Sequence, residues 1–280
     1  MRVARAVTTQ GVGFVFSLDG LDGWVSANSL AMDLPSLQSV VDHLPRISES
    51  VLTADHDLPR EIELRCPIPD PGKILGVGYN DREHIPEVGK QEPVEPYVFS
   101  KYPSSICRSG DEIRYPVGLS SQLDYDCELA VVIGPLTRRV DASSALDSVL
   151  DYTVANGVST RDLESSLGQV SRSKGMDTFC PIGPWLTTVG LVPDPHSLSI
   201  RTWVDGELRQ NSSTSDMLFR VPELVAYVST FVSLHTGDII LKGTPAGVGS
   251  GLHPPCYLEP GDTVRCEIET LGALSNCVST

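Results

Sequence analysis

The chain has 280 residues, 40% of them hydrophobic and 20% charged, with a formal net charge of -15 at pH 7. A chain of this length buries a core of its own, and the composition is that of a soluble globular protein. No apolar run approaches the roughly 18 residues of a membrane span, and no cluster of Lys and Arg offers the counterion release on which nucleic-acid affinity rests, so disorder, a membrane helix and a nucleic-acid partner are set aside.

The opening residues, Met1 to Val7, pass into an alternating run from Gly11 to Phe16. This run reads as a strand and lacks the apolar centre and small-residue cleavage site of a secretory signal, so a cytoplasmic protein is expected. A short alternating stretch, Gly23-Trp24-Val25, precedes a predicted helix from Ser36 to His43 and then a Pro-rich hinge, Cys66-Pro67-Ile68-Pro69-Asp70-Pro71-Gly72. The hinge divides a small N-terminal domain, residues 1–70, from a main domain, residues 71–280. Beyond it the chain reads as short β segments punctuated by Gly and Pro, with helical patterns only near 142–150 and 221–232. The expected class is therefore α+β and β-rich, with one compact catalytic or binding domain and no repeat, low-complexity tract or heptad pattern. The seven cysteines form no CxxC or CxH arrangement; an odd, scattered set predicts reduced thiols, with Cys127, Cys180 and Cys266 buried in apolar strands.

The segment from Leu123 to Gly134 ends in a β-branched apolar run typical of a buried strand. Alternation puts Asp126 and Glu128 on one face and Tyr125, Cys127 and Leu129 on the other. Two neighbouring carboxylates repel each other, which leaves two readings. One is a solvated acidic strand end; the other is a pair of oxygen donors for a hard divalent cation with positions left for a chelating oxo-acid.

Six stretches in order then resemble the fumarylacetoacetate hydrolase family over residues 74–278. Gly76 to Glu87 is similar to GxNYxxHxxE, Phe99 to Ser105 to FxKPxSS, and Asp124 to Gly134 to DYExELAVVIG. Val158 to Asp162 is similar to VSARD, Ser173 to Pro184 to KSFDTFCPLGP, and Gly243 to Gly249 to GTPAGVG. Each motif is weak alone, and their common order gives them weight.

The resemblance implies a mixed β-roll of the fumarylacetoacetate hydrolase type with the smaller N-terminal part packed outside it, and a homodimer. It also implies chemistry on small oxo-acids through an enolate, usually with Mg²⁺ or Mn²⁺. In that reading Asp126 and Glu128 hold the metal, a Lewis acid for the enolate. His84 and Glu87 form a dyad in which the carboxylate orients an imidazole that moves a proton, and Lys174 pairs with enolate or carboxylate oxygen. Pro86 disfavours helical geometry at Ile85 between the two dyad residues, which marks the segment as a lid. Lys101 is a second pocket lysine or a surface one, and Arg82 a carboxylate clamp or an exposed loop residue. Gln210 and Thr244 face ligand or form turns, Thr244 among backbone amides suited to an anion.

One departure limits the functional expectation. The family's third metal carboxylate falls at Gly157, and Lys242 stands where the family commonly has Thr. Three readings remain: a metal-assisted hydrolase or decarboxylase acting on a carbon–carbon bond; an isomerase, tautomerase or cyclase with weak metal dependence; and a noncatalytic oxo-acid-binding homodimer. The first is the leading expectation, because the dyad, Lys174 and both strand carboxylates are retained.

Overall fold

The computed structural model describes residues 1–18 and 23–280. Its spine is the strand Cys127–Ile133, every residue of which is buried. Alternation splits that strand between two cores: Cys127, Leu129, Val131 and Ile133 enter one, Ala130 and Val132 the other. A strand covered on both faces has no solvent-facing polar positions to keep, which is why its sequence is a near-continuous apolar run.

The strand lies inside a mixed sheet of 12 strands among the described residues. On one side it pairs antiparallel with Val149–Asn156, followed by Cys180–Thr188, Arg2–Thr8, Gly11–Ser17 and Gly23–Ser26. On the other it pairs with Ile239–Leu241, which runs parallel to Ile74–Gly78, with Tyr97–Lys101 beyond. The N-terminal strands thus extend the same sheet, and Val3, Phe16 and Ile47 share a core with Ile74, Ala130 and Ile182. A five-stranded sheet built on Ser199–Val204 and Thr263–Ile268 covers the opposite core. The β-rich α+β class is as expected.

The helices follow their apolar stripes. Val221, Leu224, Val225 and Val228 are buried at the i, i+3, i+4, i+7 spacing in the helix Val221–Ser229, which ends short of the predicted residue 232. The first helix starts after the expected Ser36, whose side chain forms a capping box with Ser39, and runs Leu37–Val51 rather than stopping at His43. Burial of Ile47 and Val51 carries it past Pro45. The predicted helix near 142–150 is instead a single 3-10 turn, Ala145–Ser148, leading into the strand Val149–Asn156. Pairing on both sides and complete burial of that strand outweigh the weak helical pattern at its start. Asp151, inside it, has an unpartnered Oδ1, and burial pushes its carboxyl up to about 7. Cys127, Cys180 and Cys266 are buried and all seven cysteines are free. Among the described residues no helix is long and apolar enough to cross a membrane.

Candidate active site

The central strand begins at Cys127, so Asp126 and Glu128 stand at its mouth on the face opposite Tyr125 and Cys127, as alternation requires. Around them close the turn His84–Glu87, the short helices Arg161–Leu167 and Val170–Lys174, and the loop of residues 243–250. The cavity between them is small, about 40 Å³. Asp126, Glu128, His84, Arg161, Glu164, Lys174 and Thr244 supply its polar wall; Tyr79, Tyr97 and Phe99 supply an aromatic one.

Asp126 is saturated. Arg161 Nη2 donates to its Oδ1 at 2.6 Å, and Lys174 Nζ and Ser159 Oγ donate to Oδ2, each at 2.8 Å. Burial alone would push this carboxyl up, but the Arg161 and Lys174 charges reverse the effect and hold it well below the usual carboxylate range. Arg161 also bonds Asp124 Oδ2 through Nε at 2.9 Å. Glu128 has the opposite balance. Burial, and then the neighbouring Asp126 charge, raise it to about 7, although Gly243 N–H donates to its Oε2 at 2.5 Å.

The dyad is formed. Glu87 Oε2 lies 2.8 Å from His84 Nδ1, and Gly247 N–H donates to Glu87 Oε1 at 2.7 Å. With a carboxylate on Nδ1 that nitrogen carries the hydrogen, leaving Nε2 as the base. Contrary to the expectation from Pro86, the segment is a helical turn with His84 and Ile85 buried. Proline is tolerated there because N–H groups of a first turn have no intrahelical partner to lose.

The glycine-rich loop binds anions, but they are the protein's own. Its N–H groups at Gly243, Gly247, Gly249 and Ser250 donate to Glu128, Glu87 and both oxygens of Asp124. Positive φ at Gly243 and Gly247, +98° and +97°, lets those amides turn inward, and a Cβ on Gly247 would collide with the Arg209 carbonyl.

Not every expected residue reaches the cavity. Gln210 is fully buried, with its amide spent on Cys127 N–H, Thr202, Thr244 Oγ1 and the Pro245 carbonyl; it supports Thr244 from behind. Lys101 is buried rather than surface-exposed and donates to the Val158 carbonyl at 3.1 Å; burial lowers it to about 8. Arg82 is about half exposed and pairs with Glu92 at 3.4 Å, outside the cavity wall. Arg161 was missed as a site residue although it sits in the VSARD-like stretch, since nothing local in the sequence shows that it reaches back across the strand to Asp124 and Asp126.

The donor set does not fit a three-carboxylate Mg²⁺ or Mn²⁺ centre. Gly157 offers no side-chain oxygen, a Cβ built there would overlap Glu128 Oε1, and both oxygens of Asp126 already accept from cations. Among the described residues no group of three or more His, Cys, Asp or Glu is arranged to hold a metal ion.

The chain as a whole is similar to known proteins. Residues 73–279 match the family model described as fumarylacetoacetate (FAA) hydrolase C-terminal. The chain is 45% identical over 219 residues to the mitochondrial oxaloacetate tautomerase fahd2 of Xenopus laevis, covering 78% of this chain and 68% of that protein. It is 42% identical over 219 residues to the oxaloacetate tautomerase YisK of Bacillus subtilis, covering 77% and 73%. The solved fumarylacetoacetate hydrolase of Exiguobacterium antarcticum superposes with a TM-score of 0.87 at 34% identity, over 100% of this chain and 99% of that one.

Proposed function

Since the chain belongs to the fumarylacetoacetate hydrolase family, we propose that it is a tautomerase or isomerase of a small 2-oxo acid in which His84 moves the proton. The observation that carries this reading is a small pocket lined by an oriented base, His84, held by Glu87, and by the Lys174 ammonium. The names of the two tautomerase relatives support it.

In the proposed step the carbon–hydrogen bond beside the keto group breaks and its proton passes to His84 Nε2. The electron pair becomes the carbon–carbon double bond, and the keto oxygen takes a proton from the Lys174 ammonium. Exchange of His84 and the lysine with water restores both groups, so the net change is keto to enol with no atom gained or lost. Fixed donors beside the developing oxygen charge are worth most where water is excluded. The Asp126 and Ser159 contacts hold Lys174 at the wall, and Arg161 holds Asp126. No step runs through a divalent ion, and weak Mg²⁺ or Mn²⁺ dependence belongs to the proposal.

A panel of oxaloacetate, acylpyruvates and unsaturated dioxo acids, assayed with and without Mg²⁺ or Mn²⁺, tests it. A mass-neutral spectral change that persists in chelator is expected. Carbon–carbon cleavage products or carbon dioxide release would replace the reading with a hydrolase or decarboxylase, and saturable binding without turnover would replace it with a noncatalytic binder.

A further inference from the structure

Asp81 and Lys242 form an ion pair that the proposed chemistry does not use. Both side chains are fully buried, with Lys242 Nζ 3.7 Å from Asp81 Oδ2, and neither of those atoms has a hydrogen-bond partner. At that separation the attraction is coulombic, and no hydrogen bond offsets the desolvation of the Lys242 ammonium or of Asp81 Oδ2. Apolar residues of similar volume commonly replace such a pair without loss of stability, whereas removing one partner strands the other. Stability alone therefore does not explain the pair.

Its placement does. Asp81 Oδ1 accepts the N–H groups of Glu83 and His84, each at 3.2 Å, and its carbonyl accepts that of Ile85 at 3.1 Å, so Asp81 starts the turn that carries the dyad. Lys242 immediately precedes Gly243, the donor to Glu128. Asn80 Nδ2 donates to the Lys242 carbonyl at 2.7 Å, and a Cβ on Gly243 would stand 2.7 Å from the Val77 carbonyl. The two charges thus lie where the wall bearing His84 meets the wall bearing the Glu128 donor.

We propose that Asp81 and Lys242 are positioning residues whose buried ion pair fixes the distance between the His84 imidazole and the Glu128 carboxylate. The kinetic part rests on the tautomerase reading. Three variants of the full chain test it: Asp81→Asn, which retains an oxygen for the Glu83 and His84 amides, Lys242→Met, and the two combined. Each single variant should melt lower than wild type, and the combined one should recover most of the loss. All three should lose about 10- to 100-fold in kcat, the scale of a small misplacement of a reacting group, with KM within about threefold. Amide exchange over residues 83–88 should accelerate in the combined variant while the central strand keeps its protection.

A folded combined variant with wild-type kcat and unchanged exchange at the His84 turn would overturn the proposal. Should that variant not fold, Asp81→Asn decides by the same two measurements. If wild type turns over none of the oxo-acids, the functional reading falls separately, and exchange at the turn in Asp81→Asn alone decides, unchanged protection counting against the pair.

Discussion

Replacing His84 with alanine removes the nitrogen proposed to carry the proton but leaves buried Ile85 to anchor the turn. Turnover should fall by about 10²–10⁴, the usual cost of a positioned acid–base group, with the melting temperature little changed; a folded variant of undiminished kcat would remove the dyad from the mechanism. Gly157 invites the opposite experiment. Its φ lies outside the left-handed region, so a side chain brings no backbone strain, but it must displace the Glu128 carboxylate, the flexible end of a side chain. Gly157→Asp should lower the melting temperature modestly, as small overpacking does, and should tighten Mg²⁺ binding by about tenfold or more through the added hard oxygen donor. Calorimetric titration of wild type, Gly157→Asp and Asp126→Ala checks this, and equal affinities in all three would remove both the ligand pair and the missing third position. At this scale the sequence was legible where chemistry is local. The alternation of Asp126 and Glu128 and the three-residue spacing of the dyad can be read from neighbouring letters. Gln210 and Lys101 were not placed by neighbouring letters, because their partners, Thr244 and the Val158 carbonyl, lie 34 and 57 residues away in the chain.

The strand Val149–Asn156 shows the limit at the scale of elements. Its early residues carry a helix-like pattern, yet it is buried throughout and paired on both sides, which only the assembled sheet reveals. The helix Val221–Ser229 and the strand Cys127–Ile133, whose apolar patterns suffice by themselves, match the sequence reading closely. Asp151 gives the buried strand a pH dependence. Its carboxyl rises from 3.8 to about 7 on folding, so between those values the folded chain binds a proton that the unfolded chain releases. Stability contributed by this group is therefore complete below the unfolded value and is lost as pH climbs through the folded one. Denaturant titrations at about pH 5 and about pH 8 should show Asp151→Asn gaining on wild type at the higher pH. Parallel pH slopes in the two proteins would show that Asp151 does not titrate between the states.

Across the whole molecule, the net charge of -15 surrounds a pocket whose carboxylates are held by groups of a different kind. Glu87 and, from the strand segment at 124–128, Asp124 and Glu128 all accept N–H groups from the loop of residues 243–250. Dissolved ions screen mobile surface charges, with a Debye length near 30 Å at about 0.01 M falling to near 3 Å at about 1 M, but they do not displace the backbone amides bonded to these carboxylates. Ionic strength should therefore act on approach and not on the chemical step. For an anionic oxo-acid, kcat/KM should rise as added salt screens the acidic exterior, while kcat stays level. A kcat that shifts several-fold with salt at constant KM would mean that the pocket's charges are open to the solvent atmosphere after all.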